Sequence, residues 1–566
     1  MPACPRLPRS HRTRSRFRSR AAGALAGACW LVGALCAPAE VAAQGGGSGT
    51  GERQAVAQEA VQVSAFEIQG NSLLPFLDLQ RRLEAFKGRR TLAELQGAAA
   101  AVQQLYADAG YGGVVAFLPP QEPAALGRGS VNIQVLEGKI ARVTVRGQQY
   151  FTADGVLASL PALVVGRTPH LPTLDAQMQI GNENPARHVR VLLKPGERPG
   201  ETDAEVSVTD RGFQRLLASL DNSGNARTGH WRATLGWQHA NLTDRDDTLA
   251  LQYQTSPTHP SRVDVRSLGY RLPLYGPRLV FDAYAARSSV DGGSTATAAG
   301  DLRFNGTGQL AGLRLAQVLP RLGEADQRLA LALDWRKYLN RCEISGLPIG
   351  ACGSAAGRVV VLPLSLDYVL QAPGAQAWGG SLSLQTNLRR SGRDSDAAAF
   401  ESVRSGARPG YALLRAGANG QWPLDERWSL RGRLATQYSR DALVPGEQFG
   451  LGGATSIRGY EERELAGDQG AAVSVELLRA LLPAAGDTGS VVLQGLAFVD
   501  AGRARNTHGT PCLDLRTGCN AASWGAGLRL GAGALQISLD AARALERASE
   551  TDRGDLRAHV AVRYAY

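Results

Sequence analysis

The stretch that decides the fold is the C-terminal segment Leu556–Tyr566, LRAHVAVRYAY. Its apolar or aromatic positions alternate with the rest: Leu556, Ala558, Val560, Val562, Tyr564 and Tyr566 against Arg557, His559, Ala561, Arg563 and Ala565. Because successive side chains of a β-strand point to opposite faces, one face of this strand suits lipid and the other suits water. A tilted membrane-spanning strand needs about 9 to 11 residues. The segment therefore predicts a strand that crosses a membrane.

The same alternation extends upstream to about Gly212. In Trp428–Tyr438 the apolar side chains Trp428, Leu430, Leu434 and Tyr438 alternate with Ser429, Arg431, Arg433 and Gln437, and Leu249–Tyr253 repeats the pattern. Inward-facing arginines are unfavourable in a packed core but ordinary in the polar lumen of a barrel, which must close because lipid cannot satisfy an open sheet edge. We predict a transmembrane β-barrel over residues 212–566. A soluble sandwich or propeller is the alternative that the pattern leaves open.

The first 43 residues predict an export signal. Seven arginines precede the apolar run from Ala21 to Ala39: Arg6, Arg9, Arg12, Arg14, Arg16, Arg18 and Arg20. Small residues at Val41 and Ala43 satisfy the small-x-small requirement of a signal peptidase, so we expect cleavage after Ala43. The alternative is an uncleaved membrane anchor, for which the run is short and weakly apolar. The mature chain is then exported.

The charge balance and the missing motifs exclude several classes of function. The whole chain has a net charge of +11, and removal of the signal peptide, with seven arginines and one glutamate, leaves about +5. Without a basic cluster interleaved with aromatic residues, we expect no nucleic-acid partner. Walker-type loops, HExxH and GxSxG spacings are absent from the sequence, and its eight histidines are scattered. We therefore expect no enzyme, no catalytic residue, no cofactor and no metal.

The cysteines predict two local disulfides. Cys4, Cys29 and Cys36 lie in the signal peptide, and the remaining four form two close pairs, Cys342 with Cys352 and Cys512 with Cys519. In an oxidising compartment such pairs are disulfide candidates. A metal site is the alternative, although CxxC spacing is missing and His508 is the only histidine near either pair.

The region before the barrel contains two copies of one small α/β pattern. Residues 44–60 begin as a Gly/Ser-rich tether, and the copies occupy residues 61–138 and 139–211. In the first copy we predict strands at Val63–Gln69, Gly113–Leu118 and Ser130–Leu136, and helices near Leu77–Phe86 and Thr91–Ala109. In the second we predict strands at Ile140–Arg146, Val189–Leu193 and Ala204–Thr209, and helices near Ala153–Ser159 and Thr173–Ile180. Each copy is long enough for one small two-layer unit.

This organisation resembles the two-partner secretion (type Vb) transporters, which share a superfamily with the outer-membrane protein assembly factors. Segments of both units match the pattern of that family's POTRA domains: Tyr106–Tyr111 (YADAGY), Leu118–Gln121 (LPPQ), Val135–Ile140 (VLEGKI), Leu193–Gly196 (LKPG) and Pro199–Asp203 (PGETD). Leu220–Gly224 (LDNSG) with Thr228–Gly229 is similar to the start of its barrel. The resemblance covers nearly the whole mature chain and implies sixteen barrel strands.

The most specific match is Ser456–Tyr460 (SIRGY), which is similar to the family's VRGY motif on a loop that folds into the lumen, here around residues 451–470. Its counterpart is Phe498–Gly502 (FVDAG). The resemblance implies that Arg458 anchors the loop through an ion pair with Asp500. Gly459 would permit a close turn and Tyr460 would wedge against the wall. Strand alternation places Phe498, Asp500 and Gly502 on the lumen face.

The resemblance also implies location, partners and function. We expect an outer-membrane barrel, assembled by the barrel assembly machinery and surrounded by lipid, with the two POTRA domains in the periplasm. A large secreted passenger protein would bind these domains through its N-terminal secretion domain and cross through the barrel. Only Gln44–Gln62 precedes the first unit, which is short for the pore-plugging helix of many members. The rival functions are an assembly factor that inserts other barrels, and a passive porin or receptor.

Overall fold

The structure is a computed structural model that describes residues 60–566, apart from 227, 290–292, 298–299, 305–307, 340–356, 390–391, 393, 483–490, 509–510 and 514–515. The predicted signal peptide 1–43, nearly all of the tether 44–60 and the Cys342/Cys352 pair lie outside the described residues. None of the described helices is both long and apolar enough to cross a membrane.

The first α/β unit contains five strands and three helices. They are β1 (Val61–Val63), β2 (Ala65–Gln69), α1 (Phe76–Leu83), β3 (Gly88–Arg90), α2 (Leu92–Asp108), β4 (Val114–Phe117), α3 (Pro123–Gly127) and β5 (Ser130–Glu137). The main sheet has the order β2-β5-β4, with β2 parallel to β5, while β1 pairs separately with β3. The strand predicted over Val63–Gln69 is thus interrupted. At Ser64 the main-chain N–H donates to the carbonyl of Gly129 and the chain changes its sheet partner.

Local sequence explains the longest helix of this unit. Thr91 and Glu94 form a capping box at the start of α2, in which each side chain bonds the other's main-chain N–H. The helix ends before Gly110, whose φ of +90° is favourable for glycine. Leu95, Val102 and Tyr106 of α2 are buried against the sheet. The amphipathic spacing read from the sequence therefore faces the core.

Glu137 joins the end of the first unit's central strand to its helical layer. Its carboxylate accepts hydrogen bonds from the Ser72 N–H at 2.6 Å, the Leu73 N–H at 2.9 Å and the Tyr106 hydroxyl at 3.0 Å, and also from the Ser72 hydroxyl. Burial opposes ionisation of Glu137, but these donors outweigh it and hold its pKa below the usual glutamate value.

The second α/β unit repeats the core of this plan. It comprises β6 (Lys139–Arg146), α4 (Ala153–Ala158), α5 (Leu171–Gly181), β7 (Arg187–Pro195) and β8 (Glu201–Asp210), with the sheet order β6-β8-β7. Its core contains Val156, Leu174 and Val206. At the end of β8, Asp210 accepts hydrogen bonds from the N–H groups of Gln149, Tyr150 and Phe151.

The described residues after the second unit form a closed antiparallel barrel of sixteen strands, the number that the family resemblance implied. The strands are β9 (Gln214–Asp221), β10 (Arg232–His239), β11 (Thr248–Thr255), β12 (Asp264–Leu274), β13 (Leu279–Ser288), β16 (Gly308–Leu322), β17 (Ala325–Leu339), β18 and β19 (Arg358–Val361 and Pro363–Ala372, one interrupted strand), β20 (Trp378–Asn387), β21 (Ala412–Pro423), β22 (Trp428–Tyr438), β25 (Gln469–Ala480), β26 (Val491–Arg505), β27 (Gly518–Ala532), β28 (Leu535–Ala544) and β29 (Leu556–Ala565). Two short hairpins lie outside this ladder, β14–β15 (Gly293–Thr297 and Gly300–Phe304) and β23–β24 (Phe449–Leu451 and Leu465–Gly467). Closure occurs where β29 pairs with β9.

The two faces of the barrel wall differ as the alternation predicted. Outward positions such as Leu235, Val499 and Trp524 are more than half exposed. Inward positions include the buried carboxylates Asp282 and Asp500. Apolar side chains exposed on one face, with charged side chains buried on the other, are the arrangement of a barrel that has lipid outside and a polar lumen inside.

The second α/β unit is attached to the barrel rim by buried contacts. Its Arg187 forms an ion pair with Asp246 in the turn between β10 and β11, and the Tyr275 hydroxyl donates to the same carboxylate. Glu183 pairs with Arg271 at 2.8 Å and with Arg328. Helix α5 also packs apolar side chains against the ends of the wall strands nearest this unit. Its Ala176 and Ile180 contact Val280, Ala316, Val318 and Ala330. The unit therefore has a defined position at the barrel entrance.

We predict that Glu137→Gln destabilises the first unit by about 1.5–3 kcal/mol, the range for hydrogen bonds to a charged group. Since the folded-state pKa of Glu137 is lowered, its stabilising effect is present above the usual glutamate pKa and is lost as the pH falls through the folded-state pKa. Urea unfolding followed by the helical circular dichroism signal should show that Glu137→Gln lowers the free energy of unfolding at neutral pH. In acid the difference from the wild type should be smaller. Glu67→Gln, at an exposed position of the same sheet, is the control; matching curves for the two variants would contradict the prediction.

Candidate functional site

The candidate site lies on the segment between β22 and β25, residues 439–468, here called the lumen loop. Hairpin β23–β24 forms its stem. The tip packs against lumen-facing residues of the wall. In this cluster Leu451, Ile457, Tyr460 and Leu465 meet Ala504, Cys519, Ala521 and Ala544. The predicted inward-folding segment 451–470 lies mostly within this loop.

The structure brings Arg458 and Asp500 together. The Arg458 Nε and Nη2 atoms donate to the two carboxylate oxygens of Asp500 at 2.7 and 2.8 Å, and the main-chain N–H of Arg458 donates to the same carboxylate at 3.1 Å. The Arg458 side chain is 1% exposed and that of Asp500 is 0% exposed. This is a bidentate, charge-assisted pair, which fixes orientation as well as distance.

Four further wall residues surround the Arg458 guanidinium. Three of them, Ser474, Glu476 and Asp540, were not predicted from the sequence. Nη1 donates to Glu476 at 2.8 Å, Nη2 donates to Ser474 at 3.1 Å, and Asp540 lies 3.9 Å away. The predicted Phe498 lies under the guanidinium, 3.4 Å from its carbon to the ring centroid. One cation is thus surrounded by three carboxylates and an aromatic ring.

Strand alternation could have predicted the lumen-facing positions of Ser474 and Glu476. Ser474 and Glu476 occupy alternate positions of β25, and the register places Ser474 opposite Asp500 and Glu476 opposite Phe498. Strand alternation in the segment after the loop would have placed both in the lumen. Asp540 belongs to β28, and its contact with the loop depends on the curvature of the barrel.

The two predicted glycines allow close approach between loop and wall. Gly459 has a φ of +94°, and its N–H donates to His559 Nε2 at 3.0 Å. Gly502 lies opposite the loop on β26, where a Cβ atom would stand 2.7 Å from a methyl carbon of Leu451. Larger side chains at either position would separate the loop from the wall.

Tyr460 is buried as the third predicted member of the loop motif. Its hydroxyl lies 2.9 Å from the Ala522 carbonyl and 2.8 Å from the Glu546 carbonyl, and it accepts from the N–H groups of both residues at 3.3 and 3.2 Å. These partners belong to β27 and to the connection after β28. Tyr460 therefore fastens the loop tip to a second part of the wall.

The second half of the loop makes two further attachments. Glu461 accepts from Arg557 at 2.9 Å, and the Glu464 carboxylate accepts from the N–H groups of Glu550 and Thr551 at 2.6 and 2.8 Å. Taken together, the loop tip touches strands β25 to β29. It is held there by side chains and not by the barrel ladder.

Of the predicted disulfides, one pair lies within the described residues. Cys512 and Cys519 are bonded, with 5.9 Å between their Cα atoms, and they close the connection before β27. In the described part of the chain, no group of three or more His, Cys, Asp or Glu residues is arranged to hold a metal ion. Around Arg458 the loop tip meets the wall through a buried ion pair.

Family models match two parts of the chain. Residues 200–530 match the model described as haemolysin secretion/activation protein ShlB/FhaC/HecB, and residues 61–138 match the ShlB-type POTRA domain. Among curated proteins, the outer membrane transporter CdiB of Dickeya dadantii is 26% identical over 386 residues, 65% of this chain and 63% of the relative. The chain thus spans less than two thirds of that relative's length. The heme/hemopexin transporter protein HuxB of Haemophilus influenzae is 26% identical over 34% of each chain.

Two solved structures share the fold. CdiB from Escherichia coli superposes with a TM-score of 0.74 at 20% identity, covering 91% of this chain and 93% of the other. CdiB from Acinetobacter baumannii gives a TM-score of 0.65 at 19% identity over 90% of each chain. The arm of two α/β units and the sixteen-stranded barrel therefore form one architecture that recurs in these proteins.

We predict that Arg458→Ala destabilises the folded protein by about 3–5 kcal/mol, because it leaves Asp500 and Glu476 buried without their cation. Arg458→Lys should recover little of this, since an ammonium group cannot make the bidentate pair. Urea unfolding from lipid vesicles measures the effect.

The matched control is Arg563→Ala, which removes an exposed arginine near the C-terminal end of β29. We expect its unfolding curve to follow that of the wild type. If Arg458→Ala follows the wild type as well, the pair with Asp500 does not hold the loop.

Proposed function

The chain belongs to the haemolysin secretion/activation protein family ShlB/FhaC/HecB, and from this membership we propose that it is an outer-membrane transporter of two-partner secretion. Its substrate is a large exported passenger protein in an unfolded state. The observation that carries the proposal is a closed barrel whose lumen holds a loop that, among the described residues, is bonded to the barrel wall through side chains and forms no rung of the wall ladder. Such a loop can leave the lumen while the barrel stays closed.

The topology gives the orientation in the membrane. Strand β9 begins directly after the second POTRA domain, so the short turns, such as Gly323–Glu324 between β16 and β17, lie on the periplasmic side. The lumen loop and the segment 388–411 before β21 connect strands at the opposite end. The barrel thus lies in the outer membrane, with the POTRA domains in the periplasm and the longer loops towards the exterior.

The second POTRA domain offers an open sheet edge for passenger recognition. In the order β6-β8-β7, strand β7 is an edge strand. At Val189 its main-chain N–H and carbonyl are paired with the side-chain amide of Asn182, at 2.7 and 3.0 Å. Because the two sides of an antiparallel strand alternate, Val191 and Leu193 direct their main-chain groups to the same side as Val189. An extended passenger segment can add to this edge as a further strand.

This edge faces the entrance of the barrel. A cavity of about 800 Å³ lies between β7 with α5 and the inner ends of β16, β17 and β19. Val189 and Val191 line it on the domain side, and Arg314, Gln327 and Gln371 line it on the barrel side. A strand bound at β7 is therefore adjacent to the lumen. Recognition and entry occur at neighbouring surfaces.

The driving force has to come from the passenger. No nucleotide is available in the periplasm, and the chain contains no phosphate-binding motif. Folding of the passenger outside the cell buries apolar surface, which is favourable and prevents return through the pore. The rival function as an assembly factor receives no support from the named relatives, which are transporters.

Deletion of the protein from its host tests the proposal. We expect mass spectrometry of culture fluid and cell surface to show loss of one large exported protein, while other outer-membrane barrels persist. Complementation with the wild type should restore the passenger, and Arg458→Ala should restore it poorly. General loss of barrels would indicate an assembly factor, and no loss of either kind would indicate a porin or receptor.

A substitution at β7 tests the recognition edge. Val191→Pro removes an outward N–H but no bond to β8, so we expect the domain to stay folded while passenger binding weakens. Secreted passenger measured by immunoblotting should fall, with unchanged barrel abundance. The control is Val115→Pro, which removes an N–H of β4 directed at β5 in the other POTRA domain and should instead unfold that domain. Normal secretion by Val191→Pro would exclude β7 as the docking edge.

A further inference from the structure

The first half of the lumen loop is attached to the wall at a place that the Arg458 contacts do not include. The turn Pro445–Glu447 lies before β23, and the Glu447 side chain is 0% exposed. Its Oε1 accepts from Arg336 at 2.7 Å and from the Tyr338 hydroxyl at 2.8 Å. Its Oε2 accepts from Gln385 at 3.0 Å and from Arg415 at 3.4 Å. Both carboxylate oxygens are therefore bound to wall residues.

The wall strands involved are different from those around Arg458. Arg336 and Tyr338 belong to β17, Gln385 to β20 and Arg415 to β21, which are the seventh, ninth and tenth strands of the barrel. The contacts of the loop tip are on the twelfth to sixteenth strands. The loop thus reaches two separate sectors of the wall.

The backbone at this turn fits closely against β17. A Cβ atom on Gly446 would stand 2.4 Å from the Tyr338 ring, so only glycine allows this approach. Gln437 on β22 donates to the main-chain carbonyl of Glu447 at 3.0 Å. Main-chain contact and close packing accompany the ion pairs, which indicates one defined position.

The two ends of the lumen loop are joined to each other through Arg404. Arg404, which follows helix α6 (Ala397–Val403), donates to the Leu443 carbonyl and to the Asp468 carboxylate. Leu443 and Asp468 lie near the two ends of the loop. Arg404 joins the two ends of the loop and bonds neither Glu447 nor Arg458. The contacts of Glu447 and those of Arg458 are therefore two different attachments.

We propose that Glu447 is a positioning residue, the second anchor of the lumen loop, and that the loop crosses the lumen as a strut between two sectors of the wall. The contacts of Glu447 do not depend on the proposed transport function, but the purpose of a second anchor does. The loop must detach from the wall at one end before a polypeptide can pass. Each anchor separately favours the closed channel. The wall contributes cations at the Glu447 end and carboxylates at the Arg458 end.

Ion conductance measures this closure without a passenger. We would reconstitute the full-length protein in planar lipid bilayers and compare wild type, Glu447→Gln, Arg458→Ala and the double variant. Glu447→Gln should raise the open fraction about tenfold, which corresponds to about 1.4 kcal/mol of closing free energy. The double variant should exceed both single variants. Glu324→Gln, in an exposed periplasmic turn, is the matched control and should behave as the wild type.

Variants on the wall side keep the test independent of how Glu447→Gln folds. Arg336→Gln removes one partner of the carboxylate and should raise the open fraction in the same direction. Glu447→Asp keeps the charge and should recover part of the closure. Heat-modifiable migration in gels verifies that each barrel is folded.

Two results would overturn the second anchor. One is a wild-type open fraction in folded Glu447→Gln and Arg336→Gln. The other is a double variant that equals Arg458→Ala alone, because the two residues would then act as one attachment. Failure of the transport function itself is seen separately, as an unchanged set of exported proteins after deletion of the wild type.

Discussion

The structure depends on the requirement that every main-chain hydrogen-bonding group inside a membrane finds a partner within the protein. Lipid offers none, so a sheet in this environment has to close, which here happens between β29 and β9. Closure separates an outer face in contact with lipid from an inner face that can hold water. Once the inner face is polar, charged side chains become available for holding other parts of the chain. The attachments of the lumen loop around Arg458 and Glu447 are a consequence of that separation.

Ion pairs suit this attachment better than apolar packing. Asp500, Glu447 and Asp468 are each fully buried carboxylates, and each meets at least one arginine. A buried ion pair is often no more stabilising than an apolar replacement, but breaking one leaves an uncompensated charge. The pairs therefore define one position of the loop sharply, since intermediate positions lack partners for both charges. The junction between the second α/β unit and the barrel also contains a buried ion pair, Arg187 with Asp246.

Local periodicity in the sequence predicted the barrel strands and most elements of the arm, whereas it left a soluble sandwich or propeller open and only the family resemblance implied the strand number. The alternation in Leu556–Tyr566 and the helical spacing of α2 are properties of neighbouring residues. The interruption at Ser64 and the short helices α3 and α6 were missed, since they depend on contacts and not on a repeated pattern. The partners of Glu447 could not be predicted for a stronger reason. Arg336 lies 111 residues away in the chain, and only barrel closure brings the two together.

One feature of the ladder separates the barrel wall from the lumen loop. Strand β22 pairs directly with β25, from Trp428 opposite Arg479 to Gln437 opposite Gly470, so the wall is continuous past the thirty residues of the loop. Withdrawal of the loop breaks side-chain contacts, the isolated main-chain bridge between Ala442 and Ala407 and at most the small β23–β24 hairpin, but it breaks no pairing between strands of the wall. In the proposed transport cycle, release of the loop therefore leaves the pairing of the wall strands intact. Substitutions at the loop attachments can then change how readily the proposed channel opens without breaking hydrogen bonds between its strands.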